Sequence, residues 1–386
     1  MNFELSAEQE QLKTTAHAFA TSELASVAKE IEATSEPLAK DWVRRLGEMG
    51  FLGMNIDPAY GGLGLSTMDA FVVLEEFAKV HPAVAFPVFE SCCGPIRAIE
   101  RFGQAPIKSR LIPAVCRGEH IVAVAMSEPG AGTALTDLST RARITGDNIV
   151  LTGTKRWCSG GGHADGYLVY CRLSDQPGAK GIGAVYVDGH SKGLGFGARE
   201  QLMGFRGIYS ADIYLDDVTV PIENLVVPAG SFAKLMEAFD LERCGNATMC
   251  LGIASAALED VLHYVQDRQQ FGKSIVDFQA VQLHLADIVM QLDASRLLIY
   301  RAVARAENGF PSVADASIAK CFANQMVRDV TGKAMQLMGA YGYSKSYPAE
   351  QRFRDAWGWG IAGGTIDIQK INIAASLVGR RFNQRA

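Results

Sequence analysis

Eight cysteines and seven histidines are scattered along the chain. They form no C-x-x-C pair and no H-E-x-x-H or related spacing, which argues against a metal centre. The cysteines read as buried, reduced thiols, and the adjacent Cys92 and Cys93 face different ways on a helix. No apolar run approaches the ~20 residues that span a bilayer, so no inserted helix is expected. The net charge is −5, with both signs spread along the chain. No basic stripe or cluster is present, so nucleic acid is not an expected partner. The first residues show neither a basic region followed by an apolar stretch nor an Arg-rich presequence. The chain therefore reads as cytoplasmic. Internal repeats and low-complexity segments are also missing.

What is present is ordinary globular composition: 386 residues, 48% hydrophobic and 20% charged. That length implies about two or three domains rather than one core. The hydrophobic period changes twice. Up to residue 119 the chain reads as helices: Glu8–Ala20, DWVRRLGEMGF and TMDAFVVLEEFAKV. The first is announced by Ser6 and Gln9 at capping-box spacing. From 120 to 228, NIVLTGTKRWCS, GYLVYCRL, GIGAVYVD and ADIYLDDVTV are short, β-branched and alternating, the pattern of a β-sandwich or barrel. From 229 to 386 long amphipathic helices return. Leu258, Val261, Leu262 and Val265 share one face; Val281, Leu285, Ile288 and Leu292 share another. ASIAKCFANQMVRDVTGKAMQLMG and INIAASLVGRR complete a four-helix bundle. The expected fold is α+β and multidomain: helical domain 1–119, β domain 120–228, bundle 229–386.

The β region opens with AMSEPGAGTALTD and continues to LTGTKRWCSGGGHADG. Glycines with Ser127, Thr133 and Ser159 offer amides and hydroxyls to a polar ring or a phosphate, and Trp157 offers a flat surface. On composition alone the same residues make a β-turn with a core tryptophan. In FAKLMEAFDLERCGNATMC, read as a helix, Leu235, Phe239, Glu242, Asn246 and Met249 lie on one stripe. Glu242 thus sits on an apolar face, where a carboxylate is costly without a task or a partner. An ion pair with Arg243 is the other reading.

The segments AMSEPGAGT, KRWCSGGG, LMGFRG, VPIENLV, RQQFGK, FQAVQ, QLMGAYGY and FRDA, in this order, resemble the acyl-CoA dehydrogenases, a flavin-dependent family. The likeness runs from FELSAEQEQL to the last helix and implies helical, β and four-helix-bundle domains. It implies FAD as cofactor, with Met126 and Ser127 bordering the flavin, Trp157 shielding it and Ser159 reaching N5. Thr133 matches a residue near the pyrophosphate. Arg268 and Phe271 match residues that reach the FAD of a neighbouring subunit in a homotetramer. Gln279, Gln336 and Gly339 match contacts to the phosphate and adenosine parts. Thr365 and Asp367 sit in a C-terminal loop that also touches FAD. Ala134 stands where the family often has Asp, and Asp367 where Glu or Gln is usual.

The implied reaction removes hydrogen from Cα–Cβ of an acyl thioester, on CoA or on a carrier protein. Electrons pass to an electron-transfer flavoprotein, with oxygen as the lesser candidate. In many relatives the base is a Glu just before the Gly-Thr of IAGGT, but here that residue is Gly363, which keeps only its N–H to polarise the carbonyl. Isovaleryl-type relatives carry the base in a DLER segment, which places it at Glu242 and matches Arg243 to a common substrate-site arginine. The vacant volume at Gly363 suits a branched or bulky acyl group. Desulfinase or monooxygenase chemistry on the same fold, or a subunit completing a partner's FAD site, are the alternatives.

Overall fold

The computed structural model describes residues 4–382. Seven helices come first: α1 (Ala7–Phe19), α2 (Ala25–Thr34), α3 (Lys40–Glu48), α4 (Thr67–Val80), α5 (Pro82–Cys92), α6 (Pro95–Phe102) and α7 (Ala105–Cys116). The capping box at α1 forms as its spacing predicts: Ser6 Oγ accepts from the Gln9 amide at 3.2 Å, and Gln9 Oε1 accepts from the Ser6 amide at 3.0 Å. α4 is buried on almost every side. Its Phe77 meets Phe51 and Phe19 at ring distances of 5.1 and 6.0 Å. α5 starts at His81, whose Nδ1 accepts from the Ala83 amide at 3.0 Å, with Pro82 in the first turn, where its missing N–H costs nothing.

Eight strands follow: β1 (Val122–Ala125), β2 (Arg141–Thr145), β3 (Asn148–Ser159), β4 (Gly166–Arg172), β5 (Ile182–Asp188), β6 (Leu194–Phe196), β7 (Ser210–Pro221) and β8 (Leu225–Val227). They run in the order β6-β7-β3-β2-β4-β5-β8, with β1 added beside β4. β2 and β4 are joined only through Arg141 and Arg172. The two halves of the sheet therefore fold over a shared core that includes Ile149, Leu151, Tyr167, Val185 and Ile213. The expected sandwich-like domain is present. β1, β2, β6 and β8 were not among the expected strands.

The C-terminal part holds α8 (Phe232–Asp267), a β9–β10 hairpin (Gln269–Gln270 and Lys273–Ser274), α9 (Gln279–Ala304), α10 (Val313–Met338), α11 (Ala340–Tyr343), α12 (Ala349–Trp359) and α13 (Ile366–Val378). α10 is the hub, with α8, α9, α12 and α13 all packed on it. Two stretches that read separately, FAKLMEAFDLERCGNATMC and the segment after Ile253, are one continuous helix of 36 residues. Its glycines are close-contact points rather than breaks. A Cβ at Gly245 would fall 2.2 Å from Cys93 Sγ, and one at Gly252 would fall 2.6 Å from the Ala78 Cβ. The last helix begins at Ile366, earlier than the INIAASLVGRR reading, because Thr365 caps it. Among the described residues no helix is long and apolar enough to cross a membrane.

Candidate active site

The stripe on α8 is formed as its spacing predicts. Leu235, Phe239, Asn246 and Met249 are buried, and Glu242 is half-buried among them. Protein surrounds the Glu242 carboxyl, yet a strip of accessible surface remains, as for a side chain lining an internal cleft. The expected alternative, an ion pair with Arg243, does not form. Arg243 pairs with Asp240 on its own helix, and its guanidinium lies 5.2 Å from the Phe239 ring. Among the described residues nothing hydrogen-bonds Glu242 or pairs with it. Burial pushes its carboxyl up to about 8, against the pull of the nearby Arg243 and Lys320 charges. Two other groups feel it: Glu90 on α5 and Tyr170 on β4 are each raised by burial first and by the Glu242 charge second.

Opposite this stripe lies the loop between α12 and α13. A Cβ built on Gly363 would sit 3.4 Å from Lys320 Cε, 3.8 Å from the Phe239 ring and 3.9 Å from Asn246 Nδ2. Gly363 has φ +69°, a conformation that favours glycine. Its N–H donates to no group among the described residues. Sequence reasoning missed the network that holds the loop. Lys320 Nζ donates to Asn324 Oδ1 at 2.8 Å, the Gly364 carbonyl at 3.0 Å and the Trp359 carbonyl at 3.3 Å. Asn246 Nδ2 donates to the same Trp359 carbonyl at 3.1 Å, and Asn324 Nδ2 to Asn246 Oδ1 at 2.8 Å. Lys320 is fully buried with no anionic partner, and burial pulls its ammonium down to about 7. Its one sequence signal is the i, i+4 spacing to Asn324 on α10.

The residues expected around a flavin fall into two groups. Met126, Ser127 and Ser159 are half-buried in the β domain, and Thr133 is exposed beside them. Lys155 fastens this edge: its Nζ donates to the Met126 carbonyl at 3.0 Å and to Glu128 Oε1 at 2.8 Å. Glu128 also accepts from the Ser139 amide and hydroxyl and from the Thr140 amide. Burial alone would raise Glu128, but Lys155 and these donors hold it at about 2. At Trp157 the pairing of β3 with β7 slips. The residue takes φ +60° and keeps its ring 53% exposed, with the Arg156 guanidinium 4.3 Å from the ring. A strained backbone that holds a large ring out of the core fits a flat aromatic ligand. Gly130 and Gly132 leave open space on the adjoining loop.

Arg268, Phe271, Gln279, Gln336 and Gly339 gather elsewhere, where α8 ends, α9 begins and α10 ends, and all are exposed. Phe271 is 93% exposed at the tip of the hairpin, and both it and Gly272 have positive φ. No hydrogen bond or ring contact among the described residues joins this group to the β-domain set. Of the two residues expected in the C-terminal loop, Thr365 ends that loop and Asp367 lies beyond it, in α13. Thr365 Oγ1 accepts from the Ile368 amide at 3.4 Å as the cap of α13, and Asp367 is exposed in its first turn.

Profiles of three domains cover the chain: the acyl-CoA dehydrogenase N-terminal domain over residues 6–119, the middle domain over 123–218 and the C-terminal domain over 232–378. The chain belongs to the acyl-CoA dehydrogenase family. Acyl-CoA dehydrogenases are oxidoreductases that act on CH–CH groups and bind FAD. A 3-sulfinopropanoyl-CoA desulfinase of Paraburkholderia xenovorans is 37% identical over 99% of this chain and 99% of its own. A short-chain specific acyl-CoA dehydrogenase of Clostridium acetobutylicum is 33% identical over 98% and 100%. Butyryl-CoA dehydrogenase from Megasphaera elsdenii has the same fold, with a TM-score of 0.94 at 32% identity over 98% and 100% of the two chains.

Proposed function

We propose that this acyl-CoA dehydrogenase oxidises the Cα–Cβ bond of an acyl thioester and that Glu242 removes the α-proton. The observation that carries this reading is a buried, unpartnered carboxyl on the face of α8 opposite Gly363. The free Gly363 amide suits a thioester carbonyl on which negative charge develops as the α-proton leaves. FAD, when bound, supplies the acceptor for the β-hydrogen and its electron pair. Lys320 holds the loop that presents the amide, and Trp157 covers the flavin side. A branched or bulky acyl group, on CoA or on a carrier protein, is the proposed substrate, although the Cβ side of Gly363 is lined by Lys320, Phe239 and Asn246 rather than open. Electrons leave to an electron-transferring flavoprotein.

In this reading Arg268 and Phe271 serve the FAD of another copy in a homotetramer. Exposed apolar side chains support an assembly: Leu283, Met290 and Leu297 on α9, and Leu377 on α13, all face solvent in the single chain.

The desulfinase relatives favour a second reading, since they share more identity with this chain than the short-chain dehydrogenase does. Anaerobic mixing with acyl-CoAs separates the two. Dehydrogenation bleaches the flavin, whereas desulfination releases sulfite from 3-sulfinopropanoyl-CoA without bleaching. Glu242→Gln is expected to keep fold and FAD and to slow bleaching by about 10²–10⁴-fold, the contribution of a general base. Bleaching at the normal rate would remove Glu242 from the mechanism. Because its folded pKa is about 8, the base form grows with pH. The second-order rate should climb about tenfold per unit below that value and level off above it.

A further inference from the structure

Glu90 sits in α5, facing the cleft between the N-terminal helices and the β domain. It is 8% exposed, its carboxyl makes no hydrogen bond or ion pair, and Oε2 is wholly enclosed with no partner. Gly94 makes room for that oxygen, since a Cβ there would lie 2.6 Å from it. Two adjoining clefts are lined by Glu90. One also includes Ser91 and His120, and the other includes Phe86, His163 and Gly160. Gly160, next in sequence to Ser159, lines the second cleft together with Glu90.

Among the described residues no cation pairs with this group. Arg97 is committed to Glu100 and to the Asn55 carbonyl. Burial lowers both His120 and His163 and keeps them neutral, and His120 is bonded to the Tyr186 hydroxyl at 2.7 Å. Glu242 adds a second acid nearby. A wholly structural carboxyl would have found a donor, as Glu128 does.

We propose that Glu90 is the terminal subsite for the acyl chain, hydrogen-bonding a hydroxyl or carboxamide carried beyond Cβ. This rests on the reading of Glu242 as the base: Glu242 is close enough for its charge to act on Glu90, so an acyl chain held at Glu242 has Glu90 within its reach. Buried polar groups discriminate against a ligand that leaves them unpaired far more strongly than an apolar wall discriminates by size.

The test uses two thioesters of similar length, 4-hydroxybutanoyl-CoA and pentanoyl-CoA. Their dissociation constants are read from the perturbation of the flavin absorbance of the holoenzyme, and turnover from anaerobic bleaching. The wild type should bind the hydroxyl compound roughly tenfold or more tightly than pentanoyl-CoA. Glu90→Leu should invert the first preference while still being reduced by pentanoyl-CoA, and Glu90→Gln should keep it. Equal binding of the hydroxyl and methyl compounds by the wild type overturns the subsite, whether or not Glu90→Leu folds. So does an unchanged ratio in Glu90→Leu. Normal binding preferences without bleaching by any thioester would leave the subsite standing and sink the dehydrogenation reading.

Discussion

Lys155 in the β domain and Lys320 on α10 are both fully enclosed, and their surroundings treat the charge in opposite ways. Lys155 meets a carboxylate, Glu128, that is itself saturated by three further donors. Lys320 meets only neutral oxygens, from Asn324, Trp359 and Gly364, and Glu242, whose carboxyl feels the Lys320 charge, is also left unpaired among the described residues. The first arrangement is closed: every charge has its answer, and the product is a fixed edge for the flavin. The second is open: charges are kept within reach of a cleft and left for a ligand to complete. The contrast separates buried charge that builds the fold from buried charge that awaits chemistry.

The largest effect that would sharpen this contrast is on stability. Lys155→Met strands the Glu128 carboxylate and should cost about 3–5 kcal/mol in denaturant unfolding. Lys320→Met strands no anion and should cost distinctly less. Its effect should fall instead on the pH profile of flavin reduction. Lys320 pulls the Glu242 carboxyl down but sheds its own charge near 7, so its removal should move the midpoint only slightly above the present value of about 8. Equal destabilisation by the two variants, with an unmoved profile for Lys320→Met, would break the contrast. The smallest effect is at the loop. Gly363→Ala meets Lys320 only at ordinary contact distance, so its cost is that of the left-handed backbone, about 1–2 kcal/mol by thermal unfolding.

Much of this was legible in the sequence because period reports burial. α4 matches its expected span, and the alternating runs of β3, β4, β5 and β7 are strands. The short strands β1, β6 and β8 carry too few residues for alternation to register. α12 was known only through FRDA, because helical period is obscured in AEQRFRDAWGW by arginines that bury against Asp260, Glu32 and Glu350. The apolar stripe around Glu242 was visible because i, i+3 and i, i+4 neighbours are fixed by local geometry. Glu90 and Lys320 were not, since what makes them notable is the absence of a partner. An absence of that kind is set by tertiary packing and leaves no mark on neighbouring letters. Thr365 shows the converse: its capping position was readable in GGTIDI, but the likeness to a cofactor loop drew the reading away from it.

Gly245 lies three residues beyond Glu242, and Cys93 lies three beyond Glu90. The bare α-carbon of one rests against the sulfur of the other, so the span between the two carboxyls is gauged one helical turn below both. A methyl group at 245 would wedge α8 from α5 and lengthen that span without altering any side chain that meets the acyl group. If Glu242 and Glu90 hold the two ends of the acyl chain as proposed, the length accepted would be set by a residue with no side chain, and could drift in evolution while every reactive group stayed in place.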